Sequence, residues 1–248
     1  MRFIHFILFC SSLILGMDGH KSYALSKCER TQTQAQSTDS IKTKDVTFVI
    51  EGIRLAGTIY MPKHPQAAVV LVHGSDRVPR MTETAELLAK NDILVFTYDK
   101  RGVGESEGVY AGPEVGTNNI SKENLNLLAK DASAALHVIQ QENKNIPMGL
   151  LGFSQAGWII PIAANQNSQV EFMVLFSCPT ITTLEQLRFQ FYTNGNPDFW
   201  ENHTEEEAVH HTKNDPDRYN FEATDPLEAL SNLSIPGLWL FGQKDIQI

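Results

Sequence analysis

Around positions 46–59 the apolar residues alternate with polar ones: Val46, Phe48 and Ile50, then, beyond Glu51-Gly52, Ile53, Leu55 and Ile59. A period of two on both sides of a turn dipeptide predicts a β-hairpin, which Pro62 and Pro65 close. Beyond it the alternation gives way to short continuous apolar runs at 67–72, 93–98, 148–153, 172–176 and 235–241. Continuous runs of this length predict strands buried on both faces, as in a parallel sheet. Between them the spacing turns helical. Residues 82–90 and 156–164 are short helix candidates, and 121–141 puts Leu125, Leu128, Ala132, Leu136 and Ile139 on one face, with Ser121 as a cap. Strands that alternate with helices predict an α/β fold with an open, mostly parallel sheet and flanking helices.

The rhythm breaks between 182 and 229. This stretch is acidic and carries Phe189, Phe191, Tyr192, Phe199, Trp200, Tyr219 and Phe221. It is too long for an ordinary crossover. A helical cap insertion over the carboxyl edge of the sheet is predicted, its aromatics gluing it to the body.

The first 24 residues have a different logic. Arg2 precedes an apolar run at 6–15, and Ser22 and Ala24 place small residues at the two positions a signal peptidase reads. The run is shorter than the roughly 20 residues a helix needs to cross a bilayer, so a cleaved signal peptide is predicted rather than a retained span. That implies a secreted or periplasmic protein with no membrane span after cleavage. Cys28 invites a lipid anchor, but Lys27 stands where such a site wants a small residue. Residues 25–44 read as a flexible polar leader, and 45–248 as the folded domain.

Composition narrows the field further. Hydrophobic residues make up 42% of the 248, and 20 Lys and Arg against 29 Asp and Glu leave a net charge of −9. That balance argues against nucleic acid as a partner. Three cysteines are too few for a disulfide framework. A bridge between Cys28 and Cys178 is permitted but not demanded, and Cys178 reads as a small buried hydrophobe at a strand end.

The chemistry gathers at strand ends. In LLGFSQAGW a serine, Ser154, stands between a buried strand and a helix, with Gly152 two residues before it. Such a turn lifts the hydroxyl above the sheet, and Gly152 keeps the turn uncrowded. The usual pattern has glycine two residues after the serine; here Ala156 takes that place and Gly157 follows. In the HGS string after 67–72, Gly74 lets the backbone leave the strand abruptly. The next amide, of Ser75 or Asp76, and the amide of Gln155 are candidate oxyanion donors. His73 reads as a structural brace for this loop rather than a base.

In the order strand-HGS, YDKRGVGES, LLGFSQAG and LWLFGQKD, these strings resemble the α/β-hydrolase superfamily, in its serine-aminopeptidase-like or dienelactone-hydrolase-like branch of exported bacterial enzymes. The likeness covers roughly 46–248, and DKRGVGES is its most specific part. It implies that Ser154 is the nucleophile, that Ser75 and Gln155 donate to the oxyanion, and that Asp245 is the acid. Asp99 and Arg101, in the 99–106 loop, become structural members of a salt-linked loop. The substrate implied is a small ester or a peptide, with no cofactor and no metal.

In this fold the triad runs Ser, acid, His. The eight histidines stand at 5, 20, 64, 73, 137, 203, 210 and 211, none of them after Asp245. The resemblance therefore implies a chain that stops before the catalytic histidine, the final strand and the closing helix, and that leaves 235–241 as an exposed apolar edge. His210-His211 among acidic neighbours has no defined metal-ligand spacing and reads as a solvated helix face. Three functions compete: a serine hydrolase of esters or related acyl bonds, with a peptidase or thioesterase as its near variant; a non-catalytic remnant or binding module with the same fold; and a cofactor-binding domain, which the glycines of RGVGES do not support because they lack G-x-G-x-x-G spacing.

Overall fold

The computed structural model describes residues 41–112, 119–214 and 222–248. The predicted signal peptide, Cys28 and most of the predicted leader lie outside them, as do Tyr219 and Phe221. The predicted hairpin forms from β1 (Lys42–Ile50) and β2 (Ile53–Met61), paired antiparallel with Ile50 opposite Ile53. Glu51 and Gly52 both adopt positive φ, at 49° and 79°. That pair of angles gives the two-residue turn whose twist suits a right-handed hairpin. The leader is shorter than predicted at its C-terminal end, because Lys42, Thr43 and Lys44 already pair with Met61, Tyr60 and Ile59. Their side chains are exposed and polar, so the pairing leaves no apolar alternation to read.

The continuous runs become β3 (Ala67–Val72), β4 (Ile93–Tyr98), β5 (Met148–Phe153), β6 (Phe172–Phe176) and β7 (Gly237–Leu240). With the hairpin they form one seven-stranded sheet in the order β1-β2-β4-β3-β5-β6-β7. From β4 to β7 every pairing is parallel. Helices α1 (Thr82–Ala89), α2 (Lys122–Gln140) and α3 (Ala156–Gln166) cover the sheet. Ser121 caps α2 by accepting from the Asn124 amide. Successive strand residues face opposite sides. Accordingly Ala68, Val70, Val72, Leu94, Phe96 and Tyr98 share one core with α2 and α3, whereas Val69, Leu71 and Val95 are buried outside it.

The described residues of the 182–229 insertion form the helices α4 (Thr183–Thr193), α5 (Phe199–Asn202) and α6 (Glu205–Asn214), and α7 (Leu227–Leu230) leads back to the sheet. Thr182 and Glu185 close a reciprocal capping box at the start of α4. The aromatics pack mainly on one another: Phe189, Phe199 and Ala208 form a buried cluster with Tyr192 and Trp200 against it, and Ile246 is the member from beyond the insertion. Phe191 is half exposed. β7 is shorter than predicted and lies at the sheet's end, paired to β6, with Phe241 beyond it 52% exposed. Among the described residues no helix is long and apolar enough to cross a membrane.

Candidate active site

Parallel strands deliver their C-terminal ends to one edge, so the loops after β3, β4, β5 and β7 share that edge. Ser154 directly follows β5 and has φ of 51°, a left-handed conformation that costs a non-glycine residue about 1–2 kcal/mol. Its amide donates to the Phe176 carbonyl at 3.2 Å, and its own carbonyl accepts from Gly157 at 2.9 Å. These bonds hold the strained turn in place.

The departure at Ala156 has a packing reason. A Cβ on Gly152 would lie 2.4 Å from the Ala156 methyl and 3.0 Å from the Val72 carbonyl oxygen. The glycine before the serine therefore makes the room that alanine after it occupies. The second demand for a bare backbone moves one residue on, since a Cβ at Gly157 would lie 2.8 Å from the Pro179 carbonyl oxygen.

Gly74 stands just past the end of β3 and leaves room beside the serine. Its φ is not among the positive ones, so no left-handed backbone calls for glycine here. A Cβ there would instead sit 3.5 Å from the Ser154 Cβ and 3.4 Å from the Phe153 carbonyl oxygen. The bare backbone keeps the space beside the serine open, and the HGS loop is brought against the Ser154 turn.

His73 is 3% exposed, its ring edge-on to Tyr98 and its Nε2 3.3 Å from the Pro79 carbonyl oxygen. Burial, helped by the Lys100 charge and opposed by nearby carbonyls and Asp99, pulls its pKa down to about 4. It is a neutral side chain that ties the loop after β3, in keeping with a bracing role.

Asp99 and Arg101 are both salt-linked, though not to each other. Asp99 takes a two-pronged contact from Arg80, Nε at 3.2 Å and Nη2 at 2.9 Å, with further bonds from the Arg80 and Glu105 amides. Burial pushes its carboxyl up, but these donors hold it below the usual carboxylate range. Arg101 reaches Asp131 in α2, Nε to Oδ2 at 3.0 Å, with Nη2 on the other oxygen. Gly104, at φ 56°, packs on Asp99, where a Cβ would lie 2.6 Å from Cγ. Alanine at 104 meets both obstacles, and its expected cost is roughly 1–3 kcal/mol. Urea denaturation of Gly104→Ala checks it.

Lys100, between these two, is the residue sequence reading missed. It is 3% exposed, and its Nζ donates to the carbonyls of Gly74 at 2.8 Å and Ser75 at 3.3 Å and to Gln155 Oε1 at 3.1 Å. Burial lowers its pKa to about 8, against the opposing charge of Asp76. Gln155, itself 2% exposed, donates its Nε2 to the Asn119 carbonyl at 2.8 Å. Tyr110 adds a hydroxyl bond to the Ser75 carbonyl at 2.8 Å. The only hint in the sequence was position: a lysine directly behind a buried strand.

Asp245 follows β7, and its carboxylate accepts from the amides of Gln247 at 2.8 Å and Ile248 at 3.2 Å. Its carbonyl takes the Trp200 Nε1 proton at 2.9 Å, tying the cap to this segment. A cavity of about 500 Å³ opens here, lined among others by Ile181, Phe189, Trp200, Val209, Phe241 and Asp245; Ser154 is not part of its lining. The cap histidines are engaged in the aromatic cluster: His203 stacks on Phe199 at 4.3 Å and His211 on Tyr192 at 3.7 Å. His210 stands exposed on α6. Among the described residues no group of three or more His, Cys, Asp or Glu is placed to hold a metal ion. Cys178 is buried and free, with burial pushing its thiol up to about 12.

Residues 63–227 match the family described as serine aminopeptidase, S33. The chain belongs to this family, and so to the α/β-hydrolase superfamily. Mouse monoglyceride lipase is 26% identical over 179 residues, which are 69% of this chain and 55% of the mouse protein. Rat monoglyceride lipase is 29% identical over 115 residues, 46% of this chain and 35% of that one. The chain thus spans about half the length of the mouse relative and less of the rat one. Among solved structures, an esterase from Pyrococcus furiosus superposes with a TM-score of 0.58 at 18% identity, covering 93% of this chain and 81% of the esterase. The acylaminoacyl peptidase of Pyrococcus horikoshii gives 0.54 at 13% identity, covering 85% of this chain and 33% of that one. At these identities the likeness to solved structures is one of fold.

Proposed function

We propose that this chain is the body of an exported serine hydrolase that attacks a small-molecule ester or related acyl bond through Ser154. The observation that carries the reading is the Ser154 turn: a serine at positive φ behind a buried parallel strand, with the HGS loop packed beside it. In this scheme a base takes the Ser154 hydroxyl proton as Oγ adds to the acyl carbon, the oxyanion is met by the amides of Ser75 and Gln155, and the same base hands that proton to the leaving alcohol as the acyl–oxygen bond breaks. Water then releases the acid. Asp245 is the carboxylate that orients the base. His73, Asp99 and Arg101 shape the loops and take no part in proton transfer. The monoglyceride lipase relatives favour an ester over a peptide as substrate. Export rests on the charge, apolar run and small residues of the first 24 positions.

A second reading, a hydrolase fold without turnover, is favoured by the histidines. A serine hydroxyl needs a base to take its proton, and His73, His203 and His211 are each committed elsewhere. A fluorophosphonate probe separates the two readings. Rapid labelling of the folded protein, mapped to Ser154 by mass spectrometry and abolished in Ser154→Ala, is the expected result. Absence of labelling in folded protein removes the hydrolase reading for this chain and leaves the non-catalytic one.

A further inference from the structure

We propose that Lys100 is the positioning residue of the oxyanion site: its ammonium orients and polarises the peptide units that carry the Ser75 and Asp76 amides, and ties them to the residue after Ser154. The assignment of an oxyanion site rests on the serine-hydrolase reading; the placement of Lys100 does not.

The planar peptide bond fixes where these amides point. No peptide among the described residues is cis, so in each unit the carbonyl and the following N–H point opposite ways. The Gly74 carbonyl and the Ser75 N–H belong to one such unit, and Lys100 Nζ holds that carbonyl at 2.8 Å. The Ser75 N–H therefore points away from the lysine. The next unit joins the Ser75 carbonyl to the Asp76 N–H. Its carbonyl accepts from Lys100 at 3.3 Å and from the Tyr110 hydroxyl at 2.8 Å. Whichever of the two amides meets the oxyanion, the opposite end of its peptide is anchored on Lys100.

The third bond of Nζ goes to Gln155 Oε1 at 3.1 Å, and the other end of that side chain is fixed on the Asn119 carbonyl. One buried cation thus links the loop after β3 to the turn after β5, where the second donor, the Gln155 amide, is carried. A charge on a carbonyl also draws electron density through the peptide and strengthens its N–H as a donor.

Geometry argues against Lys100 as the base itself. An ammonium has three N–H donors and no acceptor, and here three acceptors surround it. Losing its proton would weaken the same bonds that place the loop. The groups around it are Asp76, His73 and the Tyr110 ring, with Arg77 on the ring as well.

Three readouts test the proposal on the full chain. In the wild type, the Ser75 and Asp76 amide resonances should shift together as pH is raised through about 8, where Lys100 loses its proton, and this titration should vanish in Lys100→Met. Hydrogen exchange at 74–76 should quicken by about tenfold or more in that variant while the β3 amides keep their protection. Labelling of Ser154 by a fluorophosphonate should slow by about 10- to 100-fold, with half-saturation by the probe unchanged. That is less than the 10²–10³ lost with an oxyanion donor itself. Unchanged exchange in a folded Lys100→Met protein, or resonances that ignore the lysine's titration, would overturn the proposal. The wild-type titration needs no variant and decides the matter if Lys100→Met does not fold. Failure of the wild type to label sinks the Ser154 reading instead, while the exchange and resonance readouts still judge Lys100.

Discussion

Asp131→Ala is expected to destabilise the folded domain by about 3–5 kcal/mol, read as a lower urea midpoint with little change in slope. Asp131 lies on the apolar face of α2 between Leu128 and Ala132, fully buried, and its carboxylate holds the Arg101 guanidinium with both oxygens. Burial pushes its pKa up and Arg101 pulls it back. Truncation leaves the guanidinium buried with its partner gone, and this stranded charge, rather than the lost attraction, accounts for most of the cost. The double variant Arg101→Met/Asp131→Leu removes both charges and should recover most of the loss. A cost below about 1 kcal/mol for Asp131→Ala, or a double variant no better than the sum of the two singles, would show that the pair does not anchor the loop after β4.

That pair also marks the limit of what could be read from the chain. The hairpin, the buried strands, the cap of α2 and the Ser154 turn are local features. Glu51-Gly52, Ser121 and G-x-S-x-A-G each declare themselves within a few residues, because backbone angles and capping bonds are set by near neighbours. Buried charges are different. Arg80 finds Asp99, Arg101 finds Asp131, and Lys100 finds Gln155 across 19, 30 and 55 positions. The resemblance implied a salt-linked loop for Asp99 and Arg101, but which partners they take, and that Lys100 is buried at all, come only with the fold. Lys42–Lys44 were missed for a related reason: a strand held by its backbone ladder has no need of apolar side chains. Gly74 stands where the chain leaves β3, and what its bare backbone adds there is space beside the serine.

His73 gives the second large effect, through pH. Its folded pKa of about 4 lies below the ordinary 6.5 because burial disfavours the imidazolium. Above pH 6.5 the ring is neutral in both folded and unfolded chains, and its contribution to stability is fully present. As pH falls, the unfolded chain takes up a proton that the folded one refuses, so stability declines until the folded pKa is passed. Between pH 7 and 4.5 the expected loss is on the order of 2.5 kcal/mol. Asp99, Glu51 and Glu207 are all held below the usual carboxylate range, so their own losses belong mainly to more acid solution. His73→Gln, whose amide can still donate toward Pro79, should lower stability at pH 7 yet flatten the profile between 6.5 and 4.5. An equal slope in the variant would show that the acid sensitivity arises elsewhere. His73 and Lys100 act on the same loop, one at Pro79 and the other at Gly74 and Ser75. A proton on the imidazole would add a second positive charge beside the ammonium, so the protection of the amides at 74–76, measured relative to their intrinsic exchange at each pH, should fall in acid before that of the β3 amides.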